Sequence, residues 1–375
     1  MRRMTASATA RESSGGDPRR ILIVNPFGIG DVLFTTPFIR ALRQAFPATR
    51  LGYVCNRRTE RILRENPQLN DLFIYEKDEL VRMLRQSWWK CLVYVVGLLW
   101  RVRRAKFDLV VDLSMGERYA FILKSLGVTR RVGFDYRHRG RFLTERLPID
   151  GYHDTHVVEY YRRLLAFMGI LLCDPSLELH ASTEDERWAD QWLEGHHVRR
   201  DRPLVGMMPA GGVSWGLDAP FRRWSFEGFA AVGDALAERL DAQLLLFGER
   251  TDRTVCETVA RLMKHPVIDV SGATTLGQFI SLLSRLGLVI CNDGGPLHLA
   301  VSRGVKTVSI FGPVDPRVYG PYPADESRHR VIRREELLCR PCYHQFKLPP
   351  CPYERACLTL EEPGTVIEAC LDLLG

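Results

Sequence analysis

Short apolar runs and helical patterns alternate along this chain from Arg20 onwards. Residues 21–24 form an apolar run with β-branched side chains, and apolar residues then recur at helical spacing over 32–46. Short apolar runs bounded by turns are typical of strands buried on both faces of a parallel sheet. Similar runs predict further strands at 51–54, 72–75 and 107–113. The alternation therefore predicts an α/β unit with helices on both faces of its sheet.

The same alternation restarts in the second half of the chain. Residues 134–200 are polar, and we expect them to be irregular apart from helices at 157–168 and 184–196. The residues after them predict strands at 203–208, 243–247, 267–270, 288–291 and 307–311 and helices at 226–240, 254–263, 276–286 and 296–302. This series predicts a second α/β unit, with a boundary between about 180 and 202. We expect the last helix, 363–374, to pack back against the first unit.

Length and composition agree with two domains. A chain of 375 residues exceeds the ~100–200 residues of one typical domain, and 46% hydrophobic residues suffice for two cores. We predict a disordered leader at 1–19, an N-terminal domain at 20–185, a C-terminal domain at 200–338, and a cysteine-rich tail with a helix at 339–375. The net charge of +7 suits a nucleotide diphosphate or an acidic membrane surface, and no arginine-rich tract is long enough for a nucleic-acid arm.

The start of the chain and its apolar runs bear on cellular location. The first twenty residues lack the apolar centre of a secretory signal, so we expect a cytoplasmic protein. An organelle transit peptide is the less favoured alternative. The longest apolar run, 91–100, falls short of the ~18 residues that cross a bilayer.

The first predicted strand ends in a glycine-containing turn, and Asp31 begins the helix that follows. Gly28 and Gly30 permit a tight turn and the close approach of a ligand to the backbone. Ligands of open α/β sheets bind at this carboxyl end of the strands. Asp31 is therefore a candidate general base, with a helix N-cap as the alternative interpretation. A dinucleotide-binding loop is less favoured, because Leu33 stands where that motif has its third glycine.

A second candidate ligand loop follows the predicted strand at 288–291. Gly294 and Gly295 precede a helix whose first turn contains His298. A helix start of this kind binds phosphate through its unpaired N–H groups and the positive end of its dipole. We interpret these residues and Asp293 as contacts to an anionic ligand. A satisfied core histidine is the alternative interpretation of His298.

Other loops of the second unit carry further candidates. Gly211 and Gly212 form an open loop after the strand at 203–208. Arg222 could neutralise a diphosphate, although a solvated basic pair is the alternative. Asp252 lies in the loop that follows the next strand.

Four segments, taken in chain order, resemble the heptosyltransferases of glycosyltransferase family nine. They are GIGDVLFTTP at 28–37, RRWSFEGF at 222–229, NDGGPLHLA at 292–300 and FGPVDP at 311–316. The resemblance implies a GT-B fold, in which two Rossmann-like domains, one for the acceptor and one for a nucleotide-sugar donor, face a central cleft. It further implies an ADP-heptose donor, a lipopolysaccharide core or other lipid-linked glycan as acceptor, inversion at the anomeric carbon and no catalytic metal.

The resemblance also implies roles for individual residues. Asp31 matches the catalytic base, and Arg222, where the family usually has lysine, matches the cation that faces the leaving diphosphate. The residues implied on the donor side are Gly211, Gly212, Asp252, Asp293, Gly294, Gly295 and His298. Gly28 and Gly30 belong to the acceptor-side loop.

Residues 87–104 combine three tryptophans with flanking cations around a short apolar run. This composition suits a helix on a membrane surface, here the inner face of the cytoplasmic membrane. A core helix of the first unit is the slightly favoured alternative. A lipid-linked acceptor makes peripheral membrane contact a hypothesis worth testing.

Four cysteines cluster near the end of the chain, at Cys339, Cys342, Cys351 and Cys357. One C-x2-C pair with two further cysteines predicts a structural metal site, with zinc as the first hypothesis and an iron–sulfur centre as the second. Reduced, unconnected thiols are the alternative.

Two rival functions stay open on the sequence alone. One is a sugar-nucleotide epimerase, or a transferase of a different sugar, with the same GT-B fold. The other is a non-catalytic protein that binds sugar nucleotides or glycans.

Overall fold

The computed structural model describes residues 17–211, 216–344 and 346–375. Its first unit is a parallel sheet of six strands in the order β3-β2-β1-β4-β5-β6. The strands are β1 (Arg20–Val24), β2 (Arg50–Cys55), β3 (Asp71–Ile74), β4 (Leu109–Asp112), β5 (Arg130–Tyr136) and β6 (Glu145–Ile149). The helices are α1 (Ile29–Leu33), α2 (Thr36–Ala45), α3 (Glu60–Arg64), α4 (Lys77–Gln86), α5 (Trp88–Arg104), α6 (Glu117–Ser125), α7 (Val157–Phe167) and α8 (Thr183–Gly195).

The second unit repeats this design in the order β12-β11-β10-β7-β8-β9. The strands are β7 (Leu204–Met208), β8 (Gln243–Leu246), β9 (Ile268–Asp269), β10 (Leu288–Asn292), β11 (Lys306–Ile310) and β12 (His329–Ile332). The α-helices are α9 (Phe226–Leu240), α10 (Arg253–Leu262), α11 (Leu276–Leu283), α12 (Gly295–Ser302), α13 (Pro316–Tyr319), α14 (Ala356–Thr359) and α15 (Pro363–Leu374). Two 3₁₀ segments, Gly216–Arg222 and Arg250–Asp252, precede α9 and α10.

The two sheets have the same strand order when each is counted from its own first strand. β1 lies between β2 and β4, and β7 lies between β8 and β10, all in parallel pairing. This is the Rossmann order, and ligands bind beyond the carboxyl ends of the central strands, where the direction of winding reverses. The prediction of two Rossmann-like α/β units is confirmed. The loops that matter most are therefore those after β1, β7 and β10.

The sequence pattern missed three strands, β5, β6 and β12. β5 is an inner strand, but its sequence RRVGFDY mixes charged residues and glycine with the apolar ones, so it has no continuous apolar run. Residues 134–200 were expected to be irregular, yet β5 ends and β6 lies within them. β6 has the sequence ERLPI and is nowhere fully buried, so it lacks the apolar run that marks a central strand. As an edge strand it can also contain Pro148, because an edge strand needs hydrogen bonds on one side only. β12, with the sequence HRVI, is the edge strand of the second sheet and was missed for the same reason.

The last helix, α15, packs on the second unit and not on the first as expected. Val366, Cys370 and Leu373 are buried in the core of the second sheet. The Lys306 ammonium donates to the Leu373 carbonyl over 2.6 Å. Just before the helix, the Glu361 carbonyl accepts the indole N–H of the buried Trp224 over 3.0 Å. An apolar helical face does not by itself reveal which sheet it covers.

Ion pairs and a ring stack join the two units. On α8, Glu186 pairs with Arg285 and Arg303 of the second unit, while Asp185 pairs with Arg61 of the first. Near the cleft, the His156 Nε2 donates to the Gly320 carbonyl over 3.2 Å, and the His156 ring stacks on Tyr322 at 4.4 Å. These contacts fix the loops of the two sheets relative to each other.

Helix α5 lies on the outside of the first unit. Only Val102 of its residues is buried, whereas Trp88, Trp89 and Trp100 are 65%, 58% and 57% exposed. The alternative of a core helix is therefore wrong. Among the described residues, no helix combines the length and the apolar composition that crossing a bilayer requires.

Candidate functional site

The starts of α1 and α12 meet face to face across the cleft between the two units. A Cβ atom added at Gly30 would lie 2.8 Å from the His298 Cδ2, and one added at Gly295 would lie 3.3 Å from the Ile29 Cβ. Side-chain carbons do not approach each other to 2.8 Å, so Gly30 is required by the contact between the two helix starts. The acceptor-side loop of the first unit and the proposed phosphate loop of the second are thus in direct contact.

Asp31 lies in the first turn of α1, half-buried in this cleft. Gly28 is the N-cap, and its N–H donates to the Asp31 Oδ2 over 3.2 Å, while the Asn25 side-chain amide donates to the Asp31 carbonyl over 3.1 Å. Burial raises the pKa of Asp31 to about 6, and the hydrogen bond from Gly28 opposes that rise only in part. The alternative interpretation of Asp31 as the N-cap is therefore wrong: Gly28 is the N-cap, and Asp31, three residues later, accepts a hydrogen bond from its N–H.

Four tyrosines feel the charge of Asp31. Burial raises the pKa of Tyr152, Tyr161, Tyr319 and Tyr343, and the negative charge of Asp31 raises it further in each. Tyr152 and Tyr161 belong to the first unit, and the other two come from the second half of the chain. These residues could not be predicted, because single tyrosines in unrelated segments form no motif.

His298 is buried on the first turn of α12 and stays neutral. Its pKa falls to about 3, chiefly through burial and secondarily through the positive charges of His156 and Arg222. The ring meets Phe34 edge-on at 4.5 Å. Its Nδ1 has no hydrogen-bond partner among the described residues. A buried ring nitrogen without a protein partner costs about 1–3 kcal/mol unless a ligand or a water pairs with it.

Arg222 and Asp293 form a buried ion pair beside the start of α12. Their side chains are only 8% and 3% exposed, so Arg222 is not part of a solvated basic pair. Burial raises the pKa of Asp293, and the positive charge of Arg222 opposes the rise. A buried guanidinium that faces an anionic ligand is worth far more than one in water, because the surrounding dielectric is low.

Glycine backbones line the second unit's part of the cleft. Gly211 and Gly294 have φ angles of +77° and +153°, which other residues rarely adopt, and a Cβ at Gly294 would lie 2.6 Å from the Gly211 carbonyl oxygen. Asn292 fixes both neighbouring loops: its amide donates to the Pro209 carbonyl over 2.7 Å and accepts the Trp224 N–H over 2.9 Å. Gly212 lies outside the described residues.

The start of α12 offers backbone donors in this setting. Leu297 makes the first intrahelical hydrogen bond, from its N–H to the Gly294 carbonyl over 3.2 Å. Helix N–H groups ahead of that bond have no intrahelical acceptor, and the helix dipole favours negative charge near them. Asp293, Gly294, Gly295 and His298, predicted as one loop, are indeed brought together here, next to Arg222.

Asp252 is buried at the start of α10 and is linked to the same region by Arg223. The Glu249 N–H donates to its Oδ2 over 3.1 Å, and the Arg223 Nη2 lies 3.6 Å from its Oδ1. The Arg223 Nε donates in turn to the Ala210 carbonyl over 2.7 Å. Arg223 thus connects the loops after β7 and β8, a role that the sequence interpretation overlooked in favour of Arg222.

The cysteine-rich segment also reaches the cleft. The N–H groups of Cys342 and Tyr343 both donate to the Pro313 carbonyl, over 3.0 and 3.1 Å. Burial raises the pKa of Tyr343 to about 12; the charges of Asp31 and Asp293 add to this rise and that of Arg222 opposes it. Phe346 then meets Tyr152 of the first unit edge-on at 5.8 Å. This segment therefore covers part of the cleft.

The four cysteines of this segment do not form a metal site in the structure. Cys339, Cys342, Cys351 and Cys357 are unbonded thiols, two of them exposed. Within 17–211, 216–344 and 346–375, no three His, Cys, Asp or Glu side chains are arranged to hold a metal ion. The hypothesis of a structural zinc is therefore not supported by the geometry.

Comparisons with known proteins identify the family to which the chain belongs. The family model of glycosyltransferase family 9 (heptosyltransferase) matches residues 96–348, which is more than half of the chain. The chain is 26% identical to lipopolysaccharide heptosyltransferase 3 of Escherichia coli K12 over 330 residues, covering 82% of this chain and 90% of the relative. It is 20% identical to the lipopolysaccharide core heptosyltransferase OpsX of Haemophilus influenzae, covering 81% and 82%.

Solved structures agree on the fold. A family 9 glycosyl transferase from Veillonella parvula superposes with a TM-score of 0.77 at 24% identity, covering 95% of this chain and 97% of that one. The E. coli ADP-heptose lps heptosyltransferase II gives 0.70 at 20% identity, covering 95% and 98%. The E. coli heptosyltransferase WaaC, solved with ADP-2-deoxy-2-fluoro heptose, gives 0.59 at 18% identity, covering 84% and 93%. The predicted GT-B architecture is confirmed.

The raised pKa of Asp31 predicts a pH-dependent gain of stability in Asp31→Asn. Folded Asp31, with a pKa of about 6 against its ordinary 3.8, binds its proton more tightly than the unfolded chain does. Its ionised form therefore destabilises the fold fully above pH 6 and not at all below about 3.8. Asp31→Asn should melt at a higher temperature than the parent at pH 8, with the difference shrinking towards pH 4.

The size of this gain is limited. A shift of about two pKa units sets a ceiling of ~3 kcal/mol, which the partial exposure of Asp31 lowers. Asp150→Asn, at a side chain 83% exposed, is the matched control and should show no such difference. Equal or lower stability of Asp31→Asn at pH 8 would contradict the buried carboxylate.

Proposed function

The chain belongs to glycosyltransferase family 9, and from this premise we propose that it transfers heptose from ADP-heptose to the core of a lipopolysaccharide. The observation that carries the proposal is the contact between the two helix starts. It brings a half-buried carboxylate, Asp31, opposite an anion-binding loop with a buried cation, Arg222. An inverting transfer needs these two groups on opposite sides of the reacting carbon.

We propose that the second unit is the donor domain. The diphosphate would bind at the N–H groups of Gly294 and Gly295, where the backbone is free of side chains, with Arg222 supplying positive charge. His298, whose buried Nδ1 lacks a partner among the described residues, would contact the sugar or a phosphate oxygen. The buried carboxylate of Asp252 would accept a hydroxyl of the nucleoside or the sugar. The related E. coli WaaC was solved with an ADP-sugar analogue, which supports this class of donor.

We propose that the first unit is the acceptor domain, with Asp31 as general base. A pKa of about 6 makes Asp31 a stronger base than an ordinary aspartate, yet leaves it ionised at neutral pH. Gly28 and Gly30 belong to the loop that we propose for the acceptor side. The rim of this half is basic: Arg137 and Arg139 lie over the Tyr136 ring at 5.1 and 5.6 Å, at the carboxyl end of β5. A negatively charged glycan would be attracted there.

The reaction then follows from the arrangement. An acceptor hydroxyl oxygen forms a bond to the anomeric carbon while its proton passes to an Asp31 carboxylate oxygen. The bond from the anomeric carbon to the diphosphate oxygen breaks, its electron pair stays on that oxygen, and ADP leaves. Arg222 and the start of α12 stabilise the negative charge that develops on the leaving group. Attack from the side opposite the diphosphate inverts the anomeric carbon.

We further propose that α5 contacts the inner face of the cytoplasmic membrane. Its three exposed tryptophans and its lack of any acidic residue suit the interface of an anionic bilayer. A lipid-linked acceptor would then be held near the enzyme. Zinc at the cysteine-rich segment stays a hypothesis from the sequence alone, which elemental analysis of the purified protein decides, and no step of the proposed reaction uses it.

A donor panel tests the proposed function against its rivals. Calorimetry with ADP-heptose, ADP-glucose, GDP-mannose and UDP-N-acetylglucosamine should show selective binding of ADP-heptose, and free ADP should appear only after a lipopolysaccharide core acceptor is added. Conversion of a sugar nucleotide without an acceptor would instead identify an epimerase. Binding without any turnover would identify a non-catalytic protein.

The pH dependence of transfer tests Asp31. Because the base must be ionised, log kcat/KM should fall with unit slope below an apparent pKa of about 6. Asp31→Asn should lose about 10²–10⁴-fold in kcat and keep its affinity for ADP. Asp150→Asn serves as control. Normal turnover by Asp31→Asn would eliminate Asp31 as the base.

A double variant separates the two roles of Arg222. Arg222→Met should lose about 10²–10³-fold in kcat and also lose stability, since it leaves Asp293 buried without its cation. Adding Asp293→Asn should restore the melting temperature but not the activity. If the double variant instead recovered activity, Arg222 would serve only to neutralise Asp293. Arg222→Lys should retain more activity than Arg222→Met, because it keeps the charge.

A further inference from the structure

A basic cavity lies beneath the carboxyl end of α5, at the edge of the first sheet opposite the proposed catalytic loops. It has a volume of about 260 Å³ and is lined by the ends of β1–β3 and of α5. Its lining includes four arginines and one acidic residue, Asp71; the arginines are Arg20, Arg50, Arg101 and Arg104. Such an excess of positive charge in one cavity calls for an anionic ligand.

Two of the four arginines are engaged in holding the cavity together. Arg50 binds Asp71 with two hydrogen bonds of 2.5 and 2.7 Å. Arg20 donates from Nη1 to the Ala105 carbonyl over 2.6 Å, which ties β1 to the end of α5. The floor of the cavity is thus built from internally paired groups.

The other two arginines form no ion pair with a carboxylate of the described residues, so their charge is available to a ligand. Arg101 lies over the Phe73 ring at 5.7 Å, and Arg104 lies over the Trp100 ring at 5.0 Å. Within the described part of the chain, neither takes part in an ion pair with a carboxylate. Stacking on an aromatic ring orients a guanidinium and leaves its N–H groups available for a phosphate.

The position of the cavity relates it to the exposed face of α5. The helix follows β3 and leads back to β4, so it runs antiparallel to the strands, with Trp88 and Trp89 near the catalytic edge and Trp100 near the cavity. Its 17 residues span about 25 Å, and Trp89, Val93, Val96 and Trp100 form an exposed apolar stripe along it. A bilayer that covers this stripe would bring headgroups to the mouth of the cavity.

We infer that this cavity binds the phosphate group of an anionic phospholipid while α5 lies in the interface of the bilayer; the inference rests on the membrane contact proposed above. The cavity is slightly smaller than the ~300–1,000 Å³ of typical small-molecule pockets, which suits one headgroup and not a whole lipid. Its charge disfavours the cationic part of choline lipids. A lipid headgroup bound at the carboxyl end of α5 would hold the whole helix on the membrane. Its other end, with Trp88 and Trp89, lies on the cleft side of the first unit, so the cleft would also stay close to the membrane.

Flotation with two kinds of vesicle tests the inference. Vesicles of phosphatidylcholine alone are compared with vesicles that contain phosphatidylglycerol as well, and the full chain is expected to prefer the latter. Arg101→Gln/Arg104→Gln should bind the mixed vesicles about 30-fold more weakly, the size expected for two arginines at a membrane surface. Arg85→Gln/Arg103→Gln removes the same charge from exposed positions of α4 and α5 outside the cavity, and it should keep most of the preference.

The outcomes separate the cavity from the membrane contact. Equal losses of vesicle binding in the two double variants, or no loss in either, would contradict lipid binding in the cavity and leave the proposed membrane contact intact. No binding of the full chain to either vesicle, or undiminished binding after Trp88, Trp89 and Trp100 are all changed to Ala, would overturn the membrane contact and the cavity with it. Millimolar inorganic phosphate could instead abolish the preference for phosphatidylglycerol and change Trp100 fluorescence in the absence of vesicles. That result would assign the site to free phosphate and contradict lipid binding.

Discussion

The structure depends on the close contact of two helix starts, one from each Rossmann-like unit. His298 on α12 packs against the backbone at Gly30 on α1, and Ile29 packs against the backbone at Gly295. The contact at Gly30 needs glycine, since a carbon added there would lie 2.8 Å from the His298 ring, and the contact at Gly295 is tight. Asp31 and the His298 ring lie at this contact, and burial shifts the pKa of each. The residues that form the interface between the units are therefore the same residues that we propose for the chemistry.

Several polar groups in this cleft have lost hydration without a full set of protein partners, and a bound ligand can supply the missing interactions. Asp31 loses hydration, the His298 Nδ1 lacks a partner among the described residues, and Arg222 and Asp293 are buried as a pair. Burial disfavours the charged form of Asp31, Asp293 and His298, and together with Arg222 they place a carboxylate, a neutral ring and a cation at the edges of one space. Buried polar groups that lower stability are common where binding or catalysis requires them. This is the physical reason to interpret the cleft as a site and not as an ordinary domain boundary.

The sequence predicted much of this arrangement, and its failures have physical causes. The continuously apolar strands of both sheets were predicted, whereas β6 and β12 at the edges were not. The inner strand β5 was also missed, because charged residues and a glycine interrupt its apolar run. The loop at 292–298 was predicted as a unit because glycine, proline and histidine at a helix start form a local motif. Tyr343 and Arg223 were missed because their importance arises from long-range contacts, to the Pro313 carbonyl and to Ala210 and Asp252. The amphipathic pattern of α15 likewise could not reveal which sheet it covers.

We propose that Asp31 and the loop at 292–298 act on opposite sides of one carbon atom. A crystal structure of the chain with a non-transferable ADP-heptose analogue would locate both groups relative to the donor. We expect the diphosphate at the N–H groups of Gly294 and Gly295 beside Arg222, with the anomeric carbon between the diphosphate and the Asp31 carboxylate. A diphosphate bound away from α12, or an Asp31 carboxylate on the same side of the sugar as the leaving group, would contradict it.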